Sequence, residues 1–423
     1  MTARLAYPAV LAAAIVPRAL VLALERGAIL EENVEKSDRF ARTLVESGTF
    51  GFLPGRPSAY TQPLYAWFLA GLYEALERHW LVVGVAQIAV SALTALVVLE
   101  IGRRVASLAV GTVGAVLATV HPFLVWHDVH VNREILDQLL LAVVTLLALL
   151  VAERRGALLA LVLGASLGLA ILGNARLALL PLLLAAFVAL PVRTSASRSL
   201  LVAALVLAGA ALVVSPWLVR NELRLGCPAL TTDARALWKA NNPGTRAILA
   251  EGGWIDDVPE LPGAPPWPEL AADLTLAGTP TEVDECAQAR FYRAQVLDFW
   301  REQPREKALL AAQAVAMLWS PTFTVERAEG DALVRLGRAV VEPLFMVGIV
   351  IAALVGAFLV PRRFLVLTAL LLGYNTLAAA VFAGTVRYRA PFDFLLALLA
   401  GAALVRAARM LGARSQRTAL ASE

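Results

Sequence analysis

Ionisable side chains gather in a few short stretches between long apolar runs. Residues 126–134 read WHDVHVNRE, residues 384–393 read GTVRYRAPFD, and residues 31–38 carry Glu31, Glu32, Glu35 and Asp38. Carboxylates can take up a proton as general bases, and arginine makes forked contacts to phosphate oxygens. The alternative is that these residues form solvated turns. Ionisable groups at membrane depth are costly and usually functional, which favours chemistry at Arg133, Glu134 and Asp137.

The composition indicates what holds these stretches in place. The chain has 423 residues, of which 59% are hydrophobic and only 17% charged. A soluble protein has about 25% charged residues. Apolar stretches of membrane-spanning length recur from end to end. The sequence therefore predicts an all-α polytopic membrane protein, with a first span that is retained rather than cleaved as a signal peptide.

The hydropathy pattern predicts about ten transmembrane helices and three regions. The predicted spans are roughly 8–24, 81–101, 105–125, 135–152, 157–173, 176–192, 199–217, 340–360, 364–384 and 391–411. Residues 1–217 form an N-terminal transmembrane module that includes a first long loop at 25–80. Residues 218–339 form a second large loop with interfacial helices, and residues 340–423 hold the last spans.

The distribution of arginine predicts the orientation of the chain. Every second connection is short and basic, as at Arg103 and Arg104 or Arg362 and Arg363. The positive-inside rule places these connections and both termini in the cytoplasm of a plasma-membrane protein. The unusual stretches then lie on the outer face. Residues 306–320 are apolar but short for a span, and we interpret them as a helix on the outer membrane surface, with a span as the alternative.

Several motifs in order resemble one known family. They are ARTLVESGTF at 41–50, GRPSAYTQPLYAWFLAGLY at 55–73, SPWLVRNELRLG at 215–226, TTDARALWKANNPGT at 231–245, FYRAQVLDFWREQPREKALLAAQAVAMLWSP at 291–321 and RYRAPFDFLLALLA at 387–400. The chain resembles GT-C glycosyltransferases of the 39/83 type, which include bacterial protein O-mannosyltransferases and aminoarabinose–lipid A transferases. The resemblance implies the GT-C fold and an inverting transfer of a sugar from a polyprenyl phosphate to an acceptor hydroxyl.

The resemblance also implies roles for particular acids. The general base lies in the first loop, where many relatives carry aspartate near the position of Asn33. Asp38 is our first candidate for this base and Glu35 the second. A further outer-face carboxylate corresponds to Asp128, with Glu134 as the alternative. Each acid taken alone is equally consistent with a solvated surface residue.

Cationic and polar residues supply the remaining candidates. The outer-face arginines Arg176, Arg220, Arg387 and Arg389 are the candidates for phosphate contacts, and the resemblance supports Arg387 best. Snorkelling to lipid head groups would also explain outer-face arginines. Trp238 and Asn241, in WKANNPG, could contact the acceptor by stacking and hydrogen bonding, or form a turn. His121, His127 and His130 leave a divalent cation open, but their spacing does not favour a metal site.

Two cysteines, Cys227 and Cys286, fall in the second large loop. An outer location permits a disulfide between them. The expected partners are a polyprenyl-phosphate sugar, a lipid, glycan or protein acceptor, and membrane lipids, with no nucleic acid and no certain cofactor. The alternative function is a transporter or lipid flippase of cell-envelope biosynthesis. A transporter would concentrate polar residues at the bilayer midplane, whereas here they gather at one face.

Overall fold

The computed structural model describes residues 3–32, 34–190, 195–322 and 336–421, so Asn33 lies outside the described residues. In these ranges the regular elements are helices. The first ten are α1 Ala3–Glu25, α2 Lys36–Ser47, α3 Pro63–Leu76, α4 Trp80–Val105, α5 Leu108–Thr119, α6 Pro122–His127, α7 Glu134–Arg154, α8 Ala157–Gly173, α9 Leu180–Ala189 and α10 Ala196–Leu225.

The second large loop and the C-terminal part supply nine further helices among the described residues. They are α11 Ala234–Lys239, α12 Thr245–Ala250, α13 Pro268–Leu276, α14 Glu285–Glu302, α15 Pro304–Leu318, α16 Glu342–Gly356, α17 Arg362–Val381, α18 Val386–Arg389 and α19 Phe394–Ala421. Between α12 and α13 a short 3₁₀ turn, Ile255–Asp257, precedes the Pro-rich residues 258–267, which are irregular. Proline lacks the donor that a helix interior requires, which explains this irregular stretch.

Each of the ten predicted spans contains a helix. Seven helices in the described ranges are long and apolar enough to cross a membrane, namely α1, α4, α7, α10, α16, α17 and α19. The other three, α5, α8 and α9, are apolar but shorter. The all-α polytopic class is therefore confirmed. The side on which the termini lie, the division into three regions and the surface position of α15 remain predictions.

Small residues allow the spans to approach closely. A Cβ added at Gly164 of α8 would collide with the carbonyl of Val206 on α10, and one at Gly209 of α10 would collide with Leu161. Glycine at such positions brings helix backbones together within a membrane. On the outside of the bundle, Leu212 is 73% exposed and Phe358 is 90% exposed, as expected for side chains that face lipid.

The two large loops are bound to each other. The Glu285 carboxylate at the start of α14 accepts hydrogen bonds from the Ala59 amide (3.0 Å) and the Thr232 hydroxyl (2.6 Å). Lys36 of α2 pairs with Asp233 at 3.2 Å. Burial is the largest single influence on the pKa of Lys36, and it lowers that pKa. The nearby acids, Asp233 above all, together raise it by more, so the pKa of Lys36 is above its ordinary value. The second loop therefore fixes the position of the first.

The predicted disulfide is confirmed. Cys227 and Cys286 are bonded, with Cα atoms 6.1 Å apart. The bond joins the residue after the αL cap of α10 to the first turn of α14, directly beside Glu285. It therefore tethers the helix whose N-terminus holds the backbone of the first loop.

We expect the double substitution Cys227→Ser/Cys286→Ser to lower thermal stability. The bond closes a loop across 59 positions, and the chain-entropy model gives about 3–5 kcal/mol for such a loop. The melting temperature of the purified protein in detergent, with and without reductant, measures this effect. The double variant serves as the control, since reductant should leave its melting temperature unchanged. Two free thiols in the unreduced wild type would contradict the bond.

Candidate active site

Arg387 in α18 lies at the centre of a cluster of charged residues. Its Nε donates to Glu134 Oε1 at 2.6 Å, and its Nη2 donates to Asn132 Oδ1 at 3.0 Å. The same Nη2 also pairs with Glu35. Three predicted site residues, Arg387, Glu35 and Glu134, are thus brought together from connections far apart in the chain.

Hydrogen bonds from Gln87 of α4 hold the segment before α7 in place. Gln87 of α4 donates to the carbonyl oxygens of Asp128 (2.9 Å) and His130 (2.8 Å), and the Tyr65 hydroxyl donates to Gln87 at 2.6 Å. The amide nitrogen of Asn132 lies 2.7 Å from His127 Nδ1. WHDVHVNRE is therefore not a solvated turn: it is a buried segment that positions Asn132 and Glu134 toward Arg387.

A narrow cavity lies beside this cluster. Its polar lining consists of Glu134, Asp137, Asn174, Arg176, Tyr374, Asn375, Arg387 and Tyr388. The guanidinium of Arg176 is 4.1 Å from the centre of the Tyr388 ring, and the Tyr374 hydroxyl donates to the Arg176 carbonyl at 2.6 Å. Arg176 and Arg387 therefore line the same cavity.

Glu35 is the acid of this cluster that is suited to proton transfer. It precedes α2 in extended backbone, its side chain is 17% exposed, and only Oε1 is paired with Arg387. Burial raises the pKa of Glu35 above its ordinary value; the nearby Arg387 charge opposes this and the Glu134 charge adds to it. A raised carboxyl pKa moves toward neutral pH, where a general base is most effective.

Asp38, our first candidate for the base, lies one turn after Glu35 and contacts Tyr73 and Arg78 instead of Arg387. Its Oδ1 accepts from the Tyr73 hydroxyl at 2.6 Å and from Arg78 Nε at 2.9 Å, and its Oδ2 accepts from Arg78 Nη2 at 3.0 Å. Both oxygens are thus occupied in joining α2 to the end of α3. This geometry favours Glu35 over Asp38.

Asp128 does not line the cavity that Arg387 and Arg176 share. Its Oδ2 is 2.6 Å from Arg18 Nη2, and both side chains are 1% exposed. Arg18 also donates to the Thr119 carbonyl at 2.9 Å. The structure gives Asp128, our candidate for the further carboxylate, a buried contact to α1, whereas the alternative Glu134 contacts Arg387. The signal was available, because a lone arginine inside the first apolar run requires a buried acidic partner.

Two of the four candidate arginines serve loop structure. Arg389 is buried, pairs with Asp393 at 3.1 Å and donates to the Leu318 carbonyl at 2.9 Å. Arg220 donates to the carbonyls of Ser58 (2.8 Å) and Phe50 (3.1 Å). Neither residue lines the cavity. The phosphate contact stays a prediction, and the cavity lining favours Arg387 and Arg176 for it over Arg389 and Arg220.

The predicted acceptor residues lie in the second loop. Trp238 is buried, with its ring 5.6 Å from that of Tyr292. Asn241 Oδ1 accepts from Trp300 Nε1 at 3.0 Å and from Lys307 at 2.7 Å, so this side chain is fully used in packing. Trp238 lines a groove of about 420 Å³ together with Asn242, Phe299 and the Pro-rich residues 258–262. Asn242, rather than Asn241, lines this groove.

The three histidines have separate partners. His121 Nε2 is 3.3 Å from Asp393, His127 contacts Asn132, and His130 Nδ1 is 2.8 Å from the Trp126 carbonyl. Among the described residues no group of three His, Cys, Asp or Glu side chains is arranged to hold a metal ion. The divalent cation left open by the sequence stays a prediction.

Comparison with known proteins agrees with the motifs. Residues 56–219 match the family model of dolichyl-phosphate-mannose-protein mannosyltransferase. No curated protein sequence matches the chain.

Two solved structures are similar to this one. Oligosaccharyltransferase AglB from Archaeoglobus fulgidus, in complex with an inhibitory peptide and a dolichol-phosphate, has 14% identity over 97% of this chain and 52% of its own, with a TM-score of 0.49. ArnT from Cupriavidus metallidurans, bound to undecaprenyl phosphate, has 16% identity over 94% and 77%, with a TM-score of 0.44. This chain therefore spans about half the length of AglB.

The helices define a polytopic membrane protein in which charged residues from distant connections meet around Arg387. The family model covers fewer than half of the residues, and its match over residues 56–219 agrees with the resemblance seen in the motifs.

Proposed function

We propose that the protein is an inverting glycosyltransferase that moves a sugar from a polyprenyl-phosphate donor to an acceptor hydroxyl at the outer face of the cytoplasmic membrane. The observation that carries the proposal is the position of Arg387, between Glu35 and Glu134 and beside the cavity that holds Arg176. A carboxylate and two guanidinium groups then lie within one site, as the reaction requires.

In this proposal Glu35 is the general base. Its free oxygen takes the proton from the acceptor hydroxyl while the acceptor oxygen bonds to the anomeric carbon of the sugar. The bond from that carbon to the phosphate oxygen breaks, and its electron pair stays on the phosphate. Attack from the side opposite the phosphate inverts the configuration at the anomeric carbon.

Arg387 and Arg176 bind the departing phosphate. The phosphodiester carries one negative charge, and the released polyprenyl phosphate carries up to two. Fixed cations within a site shielded from water stabilise charge that develops in the transition state. Arg176 has no acidic partner among the described residues, and burial leaves its Nε and Nη2 without acceptors. It is therefore available to an incoming phosphate.

The proposed donor class follows from the family description, which names dolichyl-phosphate-mannose as the donor. The outer-face location follows from the arginine distribution, since Glu35, Glu134, Arg176 and Arg387 all lie near connections that the positive-inside rule places outside. The sugar of this protein and its acceptor, whether lipid, glycan or protein, are not assigned.

Activity in membranes tests the proposal. Reconstituted protein is incubated with a panel of radiolabelled undecaprenyl-phosphate sugars and with cell-envelope extract as the source of acceptor. The expected result is transfer from one donor, with inverted anomeric configuration by NMR of the product. Movement of intact lipid-linked sugar across vesicles, without cleavage of the phosphate bond, would instead support the transporter alternative.

The pH profile of transfer reports on Glu35. The base acts when deprotonated, so kcat/KM should rise with pH as it passes the raised pKa of Glu35. Glu134→Gln removes a negative neighbour, lowers that pKa and should move the acid limb to lower pH. Arg387→Gln removes a positive neighbour and should move the limb to higher pH. Shifts in the same direction for both variants would contradict the assignment.

A further inference from the structure

Asp137 is a buried acid of the cavity for which the sequence favours chemistry in general, while neither the sequence nor the comparisons assign it a particular role. It lies on α7 one turn after Glu134, so both side chains lie on the same helix face. Asp137 is 2% exposed and lines the cavity. Its Oδ2 accepts from Asn174 Nδ2 at 2.9 Å, while Oδ1 has no partner among the described residues.

Arg176 is a residue of opposite charge in the same cavity that also has buried polar atoms without hydrogen-bond partners in the described ranges. Nε and Nη2 of Arg176 are buried and have no acceptor among the described residues, and Arg176 makes no ion pair with Asp137. Buried polar groups without partners are costly and rare. The two lie in one cavity and do not pair with each other. Such an arrangement fits a ligand that offers acceptor atoms to the arginine and a donor to the aspartate.

Gly173 lies beside the unpaired oxygen of Asp137. A Cβ added at Gly173, the last residue of α8, would lie 3.3 Å from Asp137 Oδ1, tighter than ordinary van der Waals contact. Glycine at this position therefore leaves room next to the carboxylate. Glu134, one turn away, is already paired with Arg387. Asp137 is thus the acid of this helix face with a buried oxygen that lacks a hydrogen-bond partner among the described residues.

We propose that Asp137 is a specificity-determining residue: its free oxygen accepts a hydrogen bond from a hydroxyl of the donor sugar while Arg176 binds the adjoining phosphate. The inference rests on the proposed function. A sugar phosphate carries both groups close together, acceptor oxygens on phosphorus and hydroxyl donors on the ring. After transfer the polyprenyl phosphate lacks those hydroxyls, so Asp137 would favour the donor over the product.

Binding of lipid analogues to the full-length protein in nanodiscs tests this assignment. Undecaprenyl phosphate and a panel of undecaprenyl-phosphate hexoses and pentoses are titrated first, and then the monodeoxy analogues of the sugar that binds most tightly. A hydrogen bond to a charged group corresponds to about 10- to 100-fold in affinity. Wild type should lose this factor for one deoxy analogue, and Asp137→Ala should bind that analogue and its parent equally.

Two further variants separate the roles. Thr145→Val lies deeper on α7, where Thr145 bonds only to its own helix at 2.7 Å, and it should keep the wild-type discrimination. Asp137→Leu has a side chain without any acceptor and, if Asp137→Ala fails to fold, should show the same loss of discrimination. A merely structural role would weaken all ligands alike.

The outcomes distinguish this inference from the proposed function. Failure of wild type to bind undecaprenyl phosphate, or unchanged binding by Arg176→Gln, would overturn the proposed phosphate site. Normal binding of undecaprenyl phosphate with no hydroxyl discrimination in wild type, or with discrimination that survives in the Asp137 variants, would overturn the role of Asp137 alone.

Discussion

Replacing Glu35 by glutamine is expected to lower the rate of glycosyl transfer by about 10²- to 10⁴-fold, the usual cost of losing general-base catalysis. Glutamine keeps the size of the side chain and can still accept from Arg387 through its amide oxygen. It cannot take a proton from the acceptor. Single-turnover transfer from a polyprenyl-phosphate sugar measures the effect, with donor affinity expected to change far less than the rate.

Asp38→Asn is the matched control, because Asp38 is an acid of the same loop with different partners. Its carboxylate holds Tyr73 and Arg78, so we expect lower thermal stability and a transfer rate, per folded molecule, within about tenfold of wild type. The opposite pair of results, with Asp38→Asn inactive and Glu35→Gln active, would return the base to Asp38.

The difference between Glu35 and Asp38 shows how far the sequence could lead. Both acids lie in the predicted loop and have similar local sequence, so a single chain gives no reason to prefer the one that meets Arg387. That contact joins residues 352 positions apart. The contact depends on the tertiary packing that brings α18 close to the start of α2. Neither hydropathy nor secondary-structure propensity encodes that packing.

The spans could be predicted because they depend on local sequence, and the disulfide because the chain has only two cysteines. Long apolar runs form helices in lipid irrespective of their neighbours, and two cysteines in one loop have a single possible pairing. The contact of Asp128 was not predicted, because it depends on a residue far away in the sequence. Asp128 meets Arg18 across 110 positions, and its side chain is used to hold α1 against the bundle rather than to line the cavity.

Removing Arg387 is expected to have the second large effect, a loss of about 10²- to 10³-fold in transfer, as for other groups that stabilise developing charge. Arg387→Gln leaves two buried acids, Glu35 and Glu134, without their cation, so misfolding must be separated from lost chemistry. The double variant Arg387→Gln/Glu134→Gln removes one charge of each sign. It should fold close to normally and still transfer sugar slowly. Thermal melting and donor binding are measured on the same samples.

Arg220→Gln is the control for a general loss of cationic charge on this side of the protein. Arg220 donates to loop carbonyls and does not line the cavity, so it should lower stability while donor affinity stays within about threefold of wild type. Arg387→Lys distinguishes charge from geometry: lysine keeps the cation but not the fork that binds two oxygens. We expect it to recover only part of the lost rate. Full activity of the Arg387→Gln/Glu134→Gln protein would show that phosphate is bound elsewhere, and the site built around Arg387 would then be wrong.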